Sequence, residues 1–204
     1  MYNIISSGSA GNAIVYFDRI MVDCGVAYSK VEECINSDTF VLLSHFHEDH
    51  LNVQTIRRMQ FKHPSIRIGC GDFLKERLNG IRNVHVYEAG KIYDYGKFRV
   101  SPVRLYHDCE NFGYRIYYGD KKIFHATDTF TLDKITAKNY DGYFIEANYD
   151  EDTVFDLIRE KTARGEYAHQ RGAINSHLSV QQAQNFVLRN GGTSFVPLHQ
   201  SKEF

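Results

Sequence analysis

The stretch Ser44-His45-Phe46-His47-Glu48-Asp49-His50 constrains this chain more than any other. Three imidazoles and the Asp49 carboxylate fall within six residues, directly after the apolar, β-rich run Thr39-Phe40-Val41-Leu42-Leu43. That run reads as a buried strand, which fixes where the loop begins and lets the loop hold its side chains rigidly. Neutral imidazole and carboxylate are ligands that divalent metals take. His45 and His47 are two apart, so in extended backbone they project to one side. Asp49 and His50 then turn toward a neighbouring position. One short loop can thereby serve two metals about 3.5–4 Å apart.

At 204 residues the chain is long enough for one domain with a sizeable core, and a single domain over 1–204 is expected. Its 43% hydrophobic and 14% aromatic content excludes a disordered class. The net charge of −1 provides no global basic field, so any groove for a polyanion must come from local charge. Cys24, Cys34, Cys70 and Cys109 are scattered without a CxxC pair. That pattern argues against a disulfide scaffold or a zinc ribbon and fits a reducing, cytoplasmic setting. No apolar run reaches the roughly 18 residues of a membrane span, and the N-terminus does not read as a signal peptide, so no membrane partner is expected.

Strands are expected over 2–5 and 13–17, around the small-residue stretch Ser6-Ser7-Gly8-Ser9-Ala10-Gly11-Asn12. That stretch reads as a hairpin turn, and its small residues also allow close approach to a site or N–H groups for an anion. A third strand ends in Val22-Asp23-Cys24-Gly25. Ser29 is the expected cap of a helix over 30–36. A helix over 53–61 turns Val53, Ile56, Met59 and Gln60 inward and Arg57, Arg58 and Lys62 outward. A strand over 65–69 and a short helix over 73–78 follow. From 84 to 125 the pattern is all strands, with turns at Tyr95-Gly96-Lys97 and Gly119-Asp120. A strand over 141–146 and a helix over 152–163 come next. Residues 164–178 read as irregular and carry Arg164, His169, Arg171 and His177. Ser179 caps a last helix that Gly191-Gly192 stop, and a final strand over 193–198 leads to His199.

His107 and Asp128 repeat the grammar of the first loop, since each is a polar ligand at the carboxyl end of a β-rich run. Taken singly, His107 reads equally as a half-buried strand-end histidine and Asp128 as a turn residue or helix cap. The element order suits an α+β fold of two packed sheets with helices outside, a four-layer αβ/βα sandwich.

His45-Phe46-His47-Glu48-Asp49-His50, then His107, Asp128 and His199, resemble the five-motif pattern of the metallo-β-lactamase superfamily. The Ser6–Ala13 opening, His107-Asp108, Ala126-Thr127-Asp128-Thr129, Glu146-Ala147-Asn148-Tyr149-Asp150, Ser176-His177-Leu178-Ser179 and Leu198-His199-Gln200-Ser201 are similar to its YycJ (WalJ)-like branch. The chain departs from that branch at Tyr149, Ser176 and Gln200, where the branch carries histidine, glycine and leucine. The resemblance implies a metal-dependent hydrolase of the phosphodiesterase or nuclease kind, with nucleic acid, DNA or RNA, as partner and 5′→3′ DNA exonuclease activity as the branch's association. It implies two divalent metal ions, Zn²⁺ or Mn²⁺. His45, His47 and His107 would hold one, Asp49, His50 and His199 the other, and Asp128 would bridge them. Asp49 and His177 are the catalytic candidates, His177 as the histidine that contacts the scissile phosphate in the nuclease branches. Two other readings fit the same residues: a small-molecule hydrolase of a cyclic nucleotide, thioester or lactone, and a binding protein that keeps the fold without turnover.

Overall fold

The computed structural model describes residues 2–167 and 170–201. The chain divides into two compact units, Met1–Lys91 and Ile92–Phe204. His169 lies outside the described residues, as does the side chain of Arg171.

In the first unit six strands lie side by side in chain order: β1 (Tyr2–Ser6), β2 (Ala13–Tyr16), β3 (Ile20–Val22), β4 (Phe40–Leu42), β5 (Arg67–Gly71) and β6 (Val84–Tyr87). The first two pairings are antiparallel and the remaining three parallel. Every residue of β2, β3 and β4 is buried, which explains their continuous rather than alternating apolar sequence. Helix α1 (Tyr28–Val31) runs into a 3₁₀ turn at Glu32–Cys34. The residue with extended backbone before it is Ala27, so Ser29 lies inside the first turn and is not the cap. Helix α2 (Val53–Lys62) is capped by Asn52, whose side chain accepts from Thr55 N at 3.0 Å. Its Ile56 and Met59 join Val41, Ile68 and Cys70 in one apolar cluster. The helix expected over 73–78 is only a 3₁₀ turn, Asp72–Leu74. Lys75-Glu76-Arg77 are exposed there, and so short a segment has too little apolar face to offset helix nucleation.

In the second unit the order is β12-β11-β10-β9-β8-β7, with β7 (Tyr93–Asp94), β8 (Phe98–Tyr106), β9 (Glu110–Tyr118), β10 (Lys121–Ala126), β11 (Gly142–Glu146) and β12 (Val196–Leu198). Strands β7 to β10 form an antiparallel meander, and β10, β11 and β12 are parallel. The β8–β9 hairpin pairs from Phe98 with Tyr118 to Tyr106 with Glu110, and Arg104 bonds Glu110 across the strands at 3.2 Å. The pairing makes β8, β10, β11 and β12 run the same way, so their carboxyl ends share one edge. Helices α3 (Glu151–Ala163), α4 (Gln170–Ser176) and α5 (Val180–Arg189) complete the unit. Helix α4 falls within the stretch expected to be irregular. Ser179 forms a full capping box with Gln182 at the start of α5. Phe186 of α5 packs on Phe124 of β10, ring centroids 5.3 Å apart. No helix among the described residues is long and apolar enough to cross a membrane.

Candidate metal centre

Parallel strands β3 and β4 end together in the first unit, Asp23 N bonding Leu42 O at 2.8 Å. The next residues carry the chemistry. His45 and His50 are fully buried, and His47 and Asp49 are half-buried. His45 Nε2 and His47 Nδ1 face each other at 3.0 Å. Asp23 has no exposed surface, and its carboxylate organises the loop: it accepts from Ser44 N at 2.8 Å, from Ser44 Oγ at 2.9 Å and from His50 Nδ1 at 2.7 Å. These bonds fix the tautomers. Ser44 Oγ has given its proton to Asp23, so it accepts from His45 Nδ1 at 2.9 Å and leaves the His45 Nε2 lone pair outward. His50 donates from Nδ1 and likewise keeps the Nε2 lone pair, which lies 2.9 Å from Asn12 Nδ2. A carboxylate behind a ligand histidine is the usual outer support of a metal site.

The loop between β1 and β2 lies against these residues. The Asn12 amide accepts from Gly8 N at 2.8 Å and donates to Asp49 O at 3.1 Å, and Asn12 N also bonds Asp49 O at 2.6 Å. The Gly8 N–H is therefore engaged within the loop. Gly25 is required beneath: a Cβ there would sit 1.8 Å from Asp49 O.

The second unit collects its candidates at the shared strand edge. His107 follows β8, Asp128 follows β10, Glu146 ends β11 and His199 follows β12. His107 donates from Nδ1 to Ser176 O at 3.3 Å, and its Nε2 faces Asp108 Oδ1 at 3.1 Å and Asp128 Oδ2 at 4.0 Å. His199 Nδ1 lies 3.2 Å from Asp128 Oδ1 and 3.4 Å from Glu146 Oε1. His177, just after α4, bonds Glu146 Oε1 through Nδ1. Donor atoms of Asp128, Glu146, His177 and His199 all lie within 4.8 Å of one another.

Glu146 has no exposed surface and also accepts from Thr129 N at 3.0 Å. Burial acts to raise its pKa, but the bonds from His177 and His199 outweigh it and hold the carboxyl below its ordinary value. Burial acts to lower the His177 pKa, and the bond to Glu146 outweighs it, so the imidazole titrates above its ordinary value. Asp23, Asp128 and His199 have positive φ values of 60°, 56° and 49°. A left-handed backbone at non-glycine residues costs energy and persists where surrounding bonds over-determine it. Asn111 Nδ2 supplies such bonds at Asp128, reaching Thr127 O at 2.9 Å and Asp128 O at 2.7 Å.

In each unit, buried imidazole lone pairs and carboxylate oxygens are backed by polar partners, a donor set that fits divalent cations. Asp23, Asn12 and Glu146 are the supporting residues sequence reasoning left without a role. Asp23 and Glu146 each end an apolar strand run, a pattern that marks the position but not the histidine each one meets.

Residues 18–200 match the family model described as the beta-lactamase superfamily domain. Exodeoxyribonuclease WalJ of Streptococcus pneumoniae is 27% identical over 229 residues, covering 99% of this chain and 82% of that protein. That similarity agrees with the resemblance read from the sequence motifs. The metallo-beta-lactamase fold protein YhfI from Bacillus subtilis superposes with a TM-score of 0.76 at 19% identity, over 98% of this chain and 85% of that one. Human tRNase Z, short form, gives a TM-score of 0.72 at 17% identity, over 99% and 93% of the two chains. The fold is therefore α+β of the metallo-β-lactamase type, and the chain belongs to the β-lactamase superfamily domain family.

Proposed function

We propose that this protein is a dinuclear metal-dependent hydrolase, a phosphodiesterase acting on nucleic acid in the manner of a DNA exonuclease. The observation that carries the reading is the similarity to an exodeoxyribonuclease over 99% of this chain and 82% of that protein, in a chain that carries every histidine and aspartate of the ligand pattern. In this reading His45, His47 and His107 would hold one ion and Asp49, His50 and His199 the second, with Asp128 shared between them, all within one domain spanning 1–204. Imidazole-rich ligation suits Zn²⁺, and nuclease chemistry brings in Mn²⁺. That Cys24, Cys34, Cys70 and Cys109 form no disulfide supports a cytoplasmic setting.

When bound, such ions activate water at neutral pH and offset charge on the non-bridging phosphate oxygens. The chain's own groups do the rest. Asp23 and Ser44 hold His45 and His50 in the tautomers that present Nε2. Glu146 takes the Nδ1 proton of His177 into a hydrogen bond and thereby orients the ring. His177 Nε2 then donates to a non-bridging oxygen or gives its proton to the departing oxygen.

Metal-reconstituted protein incubated with 5′-phosphorylated duplex DNA, single-stranded DNA, RNA and bis-p-nitrophenyl phosphate tests the reading. Nucleotide release from a polynucleotide is the expected result. Hydrolysis of the small diester with every polynucleotide left intact would move the assignment to a small-molecule hydrolase. No turnover of any substrate would leave a binding protein.

A further inference from the structure

Phe46 stands inside the metal-ligand loop yet holds no ligand atom. Its neighbour His45 is fully buried and His47 half-buried, while Phe46 keeps 37% of its surface exposed. The ring is not loose. It meets the His47 imidazole edge-on, centroids 5.1 Å apart at 76°. The Arg77 guanidinium lies over it, 5.0 Å from the ring centroid. Arg77 is exposed, and among the described residues no carboxylate pairs with it. The ring is thus held between a candidate ligand and a guanidinium whose charge no carboxylate among the described residues offsets.

The charge of the segment that carries Arg77 points to the kind of ligand. Between Val53 and Arg82 the sequence carries seven basic residues (Arg57, Arg58, Lys62, Arg67, Lys75, Arg77 and Arg82) against two acidic ones, Asp72 and Glu76; of these Arg77 lies on the Phe46 ring, whereas Arg67 lies over Phe40 at the far end of β4. Arg57 reaches Asn79 O at 3.4 Å, so α2 is tied to the segment that carries Arg77. A local basic field with an exposed aromatic is how proteins engage single-stranded nucleic acid: cations track phosphates and bases stack on rings.

We propose that Phe46 is a stacking platform for a nucleobase of a single-stranded nucleic acid segment, with Arg77 pairing to the phosphate beside that base. The inference rests on the phosphodiesterase reading. It adds a base contact that a bare phosphodiester lacks. Aromatic stacking is worth about 1–3 kcal/mol per base, or roughly 5- to 150-fold in affinity.

The chain contains no tryptophan, so Phe46→Trp introduces a single indole at the platform. Binding of a short single-stranded oligothymidylate to metal-loaded Phe46→Trp is expected to quench its emission, whereas an abasic strand of the same length should bind without comparable quenching. In a second arm, anisotropy of labelled strands should show wild type preferring the base-bearing strand by about tenfold. Phe46→Leu should lose that preference and Phe46→Tyr keep it. Equal quenching by both strands, or binding without quenching, would overturn the platform while leaving the phosphodiesterase reading intact. A wild-type protein that binds neither strand would overturn both.

Discussion

His50 donates a hydrogen bond from Nδ1–H to Asp23 Oδ2 across 2.7 Å, and neither side chain exposes any surface. The pair joins the end of β3 to the loop after β4 and fixes which imidazole nitrogen faces outward. Asp23→Asn preserves the shape and tolerates the left-handed backbone, but it removes the charge and sets an amide against three donors. Chelator-competition titration should show divalent-metal affinity falling about 10- to 100-fold, with the fold retained by circular dichroism. Unchanged affinity would mean that Asp23 serves the fold and not the site. In the wild type the same titration is expected to reach two ions per chain, and His47→Ala should lose at least one.

Gly25 is where the loop rests on the sheet. An added Cβ would lie 1.8 Å from Asp49 O and 2.5 Å from His50 N, both main-chain atoms that cannot give way cheaply. Gly25→Ala should therefore cost about 1–3 kcal/mol or more in denaturant unfolding, with weaker metal retention. Gly172 is the control. It lies in α4 with nothing within 4 Å of the added methyl. Gly172→Ala is expected to stabilise by about 0.5–1 kcal/mol. Equal effects at the two sites would refute the close-approach argument.

Much of this architecture is legible from the sequence because its signals are local. The strand before the metal loop is a continuous apolar run, and the capping box at Ser179 needs only Gln182 three residues on. His107, Asp128 and His199 are legible as polar residues at strand ends. The supporting groups are not, because their roles depend on partners distant in sequence. Asp23 meets His50, Asn12 meets Asp49, and Glu146 meets His177 and His199. A lone carboxylate at a strand end does not announce such a partner. Helix α4 is not legible because Gln170-Arg171-Gly172-Ala173 offers no apolar period. The Ser29 cap failed because the extended residue before α1 is Ala27, with φ −64° and ψ 148°.

His177 joins stability to chemistry through Glu146. From the sequence alone, removing His177 is expected to leave stability unchanged. The structure alters that expectation, since His177→Ala removes a partner from a fully buried carboxylate, one that keeps His199 and the Thr129 N–H. A loss of about 1.5–3 kcal/mol in denaturant unfolding should accompany the variant, the usual worth of a hydrogen bond to a charged group. On a phosphodiester with a poor leaving group, kcat should fall about 10²- to 10⁴-fold with metal content unchanged. An activated p-nitrophenyl ester should lose less if proton donation dominates. Equal losses would assign His177 to phosphate contact, and wild-type rates on both would make it a packing residue.

Salt dependence separates a polymer substrate from a small one. Cations that contact phosphates release condensed counterions, so log affinity falls linearly with log salt, at about 0.7 per contact on a single strand. Arg57, Arg58 and Lys62 are exposed on α2, and Arg164 is exposed after α3. If Arg57 and Arg58 are such contacts, replacing both with Gln should weaken binding of a short oligothymidylate at low salt and reduce the slope by about 1.4. Hydrolysis of bis-p-nitrophenyl phosphate has no polymer atmosphere to release and should respond far less to salt. The measurement is anisotropy of a labelled strand from low to physiological ionic strength, for wild type and the double variant side by side. A flat wild-type response would remove nucleic acid as the substrate. A steep response with the same slope in both proteins would move the phosphate contacts off α2.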